Sequence, residues 1–197
     1  MFGMIIILVL LIVLVIAGCK TSRGGYESAG YSVIRTAGRF ELRDYEGLTV
    51  AETPMATSDN APDGSFNRLF RFISGQNQAR QKISMTTPVL MSGAGIHRAM
   101  AFVMPAELAS AQVPAPTDPA VSVRTLPSQR FAVVRFKGSR SSANESAALT
   151  QLQGWLESQS LPTNGAPLYA YFDPPWTPPF LRRNEVMLPI APMPVSF

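Results

Sequence analysis

The chain has 197 residues, enough for one ordinary domain with a terminal extension, and 46% of them are hydrophobic, which supplies a core and excludes a wholly disordered chain. Seventeen basic against thirteen acidic residues give a net charge of +4, and no basic cluster exceeds Arg182-Arg183, so a nucleic-acid-binding stripe is not indicated. Fourteen of the seventeen cations are Arg, which favours planar, bidentate contacts with carboxylate or phosphate.

Phe2 to Gly18 carries no polar side chain, and Val15-Ile16-Ala17-Gly18-Cys19 resembles the lipobox at which bacterial lipoprotein precursors are cleaved and lipidated on cysteine. Cys19 is the only cysteine, so no intramolecular disulfide can form, and lipidation is the use the sequence offers for it. A helix of that length spans about 26 Å, short of a hydrocarbon core of about 30 Å. Cleavage explains the shortness. An uncleaved anchor stays open, because Lys20 and Arg23 follow the apolar block and no cation precedes it. Residues 1–19 are therefore read as a lipoprotein signal peptide or membrane anchor, 20–30 as a flexible linker, 31–191 as the domain and 192–197 as a tail. The expected location is the membrane, on the periplasmic side of a bacterial envelope.

Between Tyr31 and Ala56, Phe40-Glu41-Leu42-Arg43-Asp44-Tyr45 alternates apolar with charged residues, the period of a half-buried strand, and Leu48 to Ala51 continues it past Gly47. Asp63 is placed to cap a helix starting near Ser65. In that helix Phe66, Leu69, Phe70 and Ile73 fall at i, i+3, i+4 and i+7, predicting one apolar, aromatic face. Such a face either builds core or walls a pocket for a flat ligand, with Arg71 near the rim. Lys82 to Thr87 reads as a strand ending at a sheet edge at Pro88, and Ala99 to Met104 as its partner across a Gly93-Ala94-Gly95 tip. His97, beside the tip, is the sole histidine; a loop histidine is the plainer reading, a weak axial haem ligand the sharper one.

Pro105 to Pro119 is a stiff connection between two halves. Arg39-Phe40 to Gly47 echoes Arg130-Phe131 to Gly138, and each unit is followed by a helix and two strand-like runs, which suggests a duplicated β-α-β-β unit. Ser142-Ala143-Asn144-Glu145 has the form of a capping box, with Leu149, Leu152, Trp155 and Leu156 on the core face behind it. Leu168 to Phe172 and Glu185 to Ile190 read as the last strands. The proline-rich loop between them carries Trp176, placed either to cover a pocket or to tack the loop down.

Lys82-Ile83-Ser84-Met85-Thr86-Thr87-Pro88-Val89, the aromatic helix before it and the closing Arg182-Arg183-Asn184-Glu185 together resemble the SOUL family of haem-binding proteins over roughly Tyr31 to Ile190. The resemblance implies an α+β fold in which duplicated β-α-β-β units form a distorted antiparallel β-barrel flanked by two helices, a design shared with bacterial effector-binding domains. It also implies haem or another tetrapyrrole as cofactor, held in a hydrophobic pocket to which Phe66, Phe70, Arg71, Met85, Phe172 and Trp176 are the candidate contributors. One histidine and one cysteine make no conventional zinc site, and no nucleophile has an evident base, so an enzyme is not expected. The function expected is a membrane-tethered, non-enzymatic binder. A structural or interaction lipoprotein of the envelope, or a binder of other small amphipathic effectors, is the competing expectation.

Overall fold

Strand-forming runs outnumber helical ones, and in the computed structural model, which describes residues 25–56, 63–93, 98–108 and 112–191, they form eleven strands and two α-helices. In chain order these are β1 (Glu27–Ser28), β2 (Ser32–Ala37), β3 (Phe40–Tyr45), β4 (Leu48–Pro54), α1 (Ser65–Ile73), β5 (Thr86–Thr87), β6 (Val89–Ser92), β7 (Ala99–Val103), β8 (Ser122–Leu126), β9 (Gln129–Phe136), α2 (Ser142–Ser158), β10 (Leu168–Tyr171) and β11 (Asn184–Pro189). Nine of the strands make one antiparallel sheet in the order β2-β3-β9-β11-β10-β6-β7-β4-β8. At about 20–25° of twist per neighbour, eight steps accumulate roughly 180°. The sheet therefore curls into a half-barrel, and the short links from β3 to β4 and from β8 to β9 cross its mouth.

The order contains a two-fold repeat centred between β10 and β6. Reading outward, β10, β11 and β9 on one side match β6, β7 and β4 on the other, each trio with its helix between the first strand in sequence and the next two. This is the duplicated β-α-β-β architecture. The Arg-Phe echo, however, aligns β3 with β9, whereas β4 is the equivalent of β9. β3 and β9 are instead paired neighbours, Phe40 opposite Val134 and Arg43 opposite Phe131; similar edge-to-core alternation makes paired strands look like copies.

Strand alternation sorts the core into three clusters. On the convex face, Leu42, Val134, Phe136, Val186 and Leu188 meet Ala148, Leu152 and Leu156 of α2. Elsewhere on that face Ala51, Met100 and Phe102 meet Leu69, Phe72 and Ile73 of α1. The concave face gathers Tyr45, Val50, Leu90, Val103, Val133, Phe172 and Met187.

Four local expectations change. Lys82 to Met85 joins no ladder; only Thr86–Thr87 does, and the strand proper, β6, starts after Pro88 and lies in the middle of the sheet. Thr87–Pro88 is a cis peptide bond. Residues 27–29, expected in the linker, are docked: β1 pairs in parallel with β5, Ala29 N–H donates to Thr87 O, and the Glu27 carboxylate accepts from Ala106 N–H. The cap of α2 is Ser141, one residue before the expected box, its side chain accepting from Asn144 N–H. Asp63 does serve the start of α1, accepting from Ser65 N–H.

Candidate functional site

Two surfaces of the half-barrel carry chemistry. On the concave side, β3, β9 and β11 place Glu41, Arg43, Arg135 and Glu185 on one face by alternation. Arg43 and Glu185 are fully buried and paired through two hydrogen bonds, Nη1 to Oε2 at 2.7 Å and Nη2 to Oε1 at 3.1 Å. Arg43 Nε donates to Glu41 at 2.7 Å, Arg135 reaches both glutamates, and Arg183 donates to Glu185 Oε1 at 2.9 Å. Arg183 also lies 4.0 Å over the Phe172 ring and Arg43 4.2 Å over Tyr31.

Burial alone would raise the Glu185 carboxyl, but the hydrogen bonds and charges of Arg43 and Arg183 hold it below the ordinary carboxylate range. Burial would lower Arg43, and Glu185 more than offsets it, so the guanidinium stays charged. Burial pushes the Tyr45 hydroxyl up to about 12 against the pull of Arg43. The network is closed on itself, and below it sits an apolar hollow of about 280 Å³ between Tyr45, Leu48, Leu90, Leu126, Phe131 and Met187.

The closing tetrad now has a physical account. Arg182 ties the preceding loop by donating to the carbonyls of Thr177 and Pro175. Arg183 covers Phe172, Asn184 donates to Gly138 O, and Glu185 anchors the buried cation.

On the convex side, α1 packs on β4 and β7 while α2 packs on β9 and β11, leaving β6 and β10 between the helices. The outward residues of those two strands, Val89 and Met91 opposite Tyr171 and Tyr169, are only half-buried and floor a groove. Arg68 fixes how α1 is rotated, because it donates to Thr53 and to Pro54 O on β4. At about 100° per residue, Phe66 and Phe70 then project from the opposite flank, toward β6.

Their rings are 6.1 Å apart and nearly parallel, Phe66 edges onto Phe102, and the two side chains remain 44% and 49% exposed. Across the groove Glu145 of α2 accepts a short hydrogen bond from the Tyr171 hydroxyl. Burial and then Glu145 push both tyrosine phenols up, with Arg140 acting against this at Tyr171 and Arg98 at Tyr169. Arg140 lies 3.8 Å from the same Glu145, so a cation stands beside the Tyr171 end of the floor.

The structure separates the residues expected to share a pocket. Phe66 and Phe70 stand together, but the buried face of α1 is Ser65, Leu69, Phe72 and Ile73. Phe72 and not the 66/70 pair enters the core, and the space under the helix is filled by Phe102, Met100 and Ile83. Met85 is half-buried against that same cluster, alongside Val89 and Met91. Arg71 turns to another flank, 3.8 Å from Asp118. Phe172 points to the concave face, opposite to the groove, since its neighbour Tyr171 occupies the convex one. Trp176 is 76% exposed on the loop beyond β10. His97 and Cys19 lie outside the described residues. The floor residues Met91, Tyr169 and Tyr171 were missed; their signal was the alternation Leu168-Tyr169-Ala170-Tyr171, large aromatics on one face and small apolar groups on the other.

A family model described as SOUL heme-binding protein matches residues 26–189. Among curated proteins, heme-binding protein 1 of Xenopus tropicalis is 26% identical over 156 residues, 75% of this chain and 81% of that one. Similar solved folds include the EcmrR C-terminal domain, with TM-score 0.58 and 13% identity over 82% of this chain and 98% of the other. A hydrolase from Listeria innocua has TM-score 0.59 and 8% identity over 80% and 94%. At such identities both report a shared fold.

Proposed function

Since the chain belongs to the SOUL heme-binding protein family, we propose that it binds haem or a related tetrapyrrole in the convex groove, catalyses nothing on it, and is tethered to a membrane by its N-terminal segment. The observation that carries this reading is the pair of nearly parallel, half-exposed rings of Phe66 and Phe70 beside the floor of β6 and β10. Large aromatic surface left in water is unfavourable unless a ligand covers it, and a flat macrocycle covers two such rings at once.

The residues present suit such a ligand. Val89, Met91 and the tyrosine rings offer apolar contact, while Arg98 and Arg140 are placed for carboxylates at the ring edge. Retention in this reading comes from burial of the ring rather than from a strong metal ligand, with His97, outside the described residues, as a weak axial candidate. The concave hollow under the network, at about 280 Å³, falls below the roughly 300–1,000 Å³ of typical small-molecule sites, and the adjoining hollow of about 500 Å³ is lined by Glu27, Asp44 and Glu46, which would repel the carboxylates of a tetrapyrrole. Bound haem would bring its own redox-active iron; the protein's part is to hold and orient it.

Titration of the full-length protein with hemin, read by the Soret band and tryptophan quenching, tests this. Saturable one-to-one binding is expected, weakened about tenfold or more by Phe70→Asp, which removes ring contact worth more than about 1.4 kcal/mol. Leu126→Phe, in the concave hollow, should leave it unchanged. Unsaturable association would favour the interaction-lipoprotein role, and sensitivity to Leu126→Phe in place of Phe70→Asp would move the site to the other face.

A further inference from the structure

A third surface remains after the groove and the concave network are assigned. The loop Asp173 to Arg182 leaves β10 beyond Tyr171, and its four prolines, at 174, 175, 178 and 179, restrict its backbone. Arg182 stiffens it further through the carbonyls of Thr177 and Pro175. A short 3-10 turn, Pro179–Leu181, presents Phe180 and Leu181, and Gly138 N–H donates to Pro179 O to fasten it against the end of β9. Despite this fixing, Trp176 is 76% exposed, Phe180 67% and Leu181 36%. The loop is held rigid with its apolar side chains outward, so it is not tacked onto its own core.

Leu181 is also a wall of a basic groove of about 510 Å³. Arg39, Arg135, Lys137, Arg182 and Arg183 line that groove, and no acidic side chain does. Arg135 and Arg183 face glutamates on their inner side. Arg39 donates to a carbonyl, that of Arg135. Rigid, exposed aromatic residues beside a cationic shelf complement one partner in both respects: a bilayer, with the rings at headgroup depth and the cations on anionic lipid.

The position agrees. Thr87 and Asp173 lie just beyond the paired Val89 and Tyr171, and β1, which leads in from residue 25, pairs with Thr86–Thr87. Tyr31, soon after β1, reaches Arg183 through its hydroxyl at 3.3 Å. The N-terminal approach and the aromatic loop are thus neighbours on one end of the sheet.

We infer that the 173–182 loop and its flanking cations form a membrane-docking surface that inserts Trp176 and Phe180 into the interface of an anionic bilayer. The residues that carry it, Trp176, Phe180, Arg39 and Lys137, are distinct from the groove residues Phe66, Phe70, Met91, Tyr169 and Tyr171 of the proposed function.

The test uses the full-length chain reconstituted in vesicles of phosphatidylglycerol with phosphatidylcholine, or of phosphatidylcholine alone, with bromines on the acyl chains as quenchers. Trp155 stacks on Phe40 and serves as the internal background. Strong quenching is expected in the anionic vesicles and several-fold less in the neutral ones, with Trp176→Phe reduced to background in both. Each cation removed should weaken engagement roughly fivefold, so Arg39→Glu with Lys137→Glu should abolish the anionic preference while hemin binding, measured on the same sample, is retained. Equal quenching in wild type and Trp176→Phe, or quenching indifferent to lipid charge and to the double charge reversal, would overturn the proposal.

Discussion

Glu185→Gln isolates the contribution of the concave network. Glu185 has no exposed side-chain surface, and its carboxylate is the shared acceptor of Arg43, Arg135 and Arg183. The amide is nearly isosteric but removes the charge and replaces one acceptor with a donor facing guanidinium groups. Arg43, fully buried, is then left with Glu41 alone as anionic partner. Breaking a buried pair by neutralising one member costs about 3–5 kcal/mol. For a domain of this size, at roughly 2–4 °C per kcal/mol, the melting temperature should fall by about 10 °C.

The measurement is thermal and urea unfolding of full-length protein in mild detergent, with Arg43→Met and the double variant Arg43→Met/Glu185→Leu alongside. The double variant should recover much of the loss, because a buried pair replaced by apolar groups is often neutral. The pH dependence has a definite sign. The folded carboxyl lies below its unfolded value of about 4.3, so its stabilisation is complete above that pH and is lost as pH falls through the lower folded value. Wild type should lose stability more steeply in that acidic window than Glu185→Gln, in which Asp44 and Asp63, also held below the ordinary carboxylate range, still titrate. A Glu185→Gln protein within 1 kcal/mol of wild type, or one with the same acid profile, would refute the network as a cornerstone of the fold; 1 kcal/mol is about the worth of an exposed pair.

Two further outcomes are expected. Trp155→Ala removes a ring stacked at 5.1 Å and 1° on Phe40, and should cost about 3–5 kcal/mol in urea unfolding while leaving hemin affinity unchanged, since Phe40 lies on the β3 side of α2 and the groove on its β10 side. Cys19→Ala should release the protein from the membrane fraction or mislocalise it; unchanged fractionation together with no acyl label on the wild type would defeat the lipoprotein reading.

Strand existence and the two helices were legible because they rest on periodicities that local side chains enforce, and the duplication showed in the order of elements although the Arg-Phe echo aligned β3 with β9. Two kinds of information were not. The rotation of α1 about its axis is set by Arg68 reaching β4, a contact across 15 residues, so the i, i+3, i+4 pattern left Phe66 and Phe70 between core and pocket wall and did not mark Phe72 as the ring that enters the core. The destination of the strand before Pro88 depends on which neighbours β6 finds, β10 on one side and β7 on the other, and the first of those is nearly eighty residues away. The groove floor is composed of that same long-range pairing, which is why Met91, Tyr169 and Tyr171 stayed hidden while the residues of the tetrad were conspicuous.

Within the family pattern, the closing tetrad and Pro88 lie on a different face of the sheet from the residues proposed to hold the ligand. Arg183, Glu185 and Pro88 belong to the concave side, and Thr86 donates to Val103 O behind it. Their identity is dictated by charge burial and backbone satisfaction, demands that stay the same whatever binds outside. The residues of the convex groove can change without disturbing the buried ion pair, because alternation along β10 and β11 separates the two sets by the thickness of the sheet. On this division the tetrad holds the strands together, and the proposed ligand contacts fall at positions 66, 70, 91, 169 and 171. The family pattern is therefore a strong statement about how this chain folds, while its ligand has to be measured at the helix side of β6 and β10.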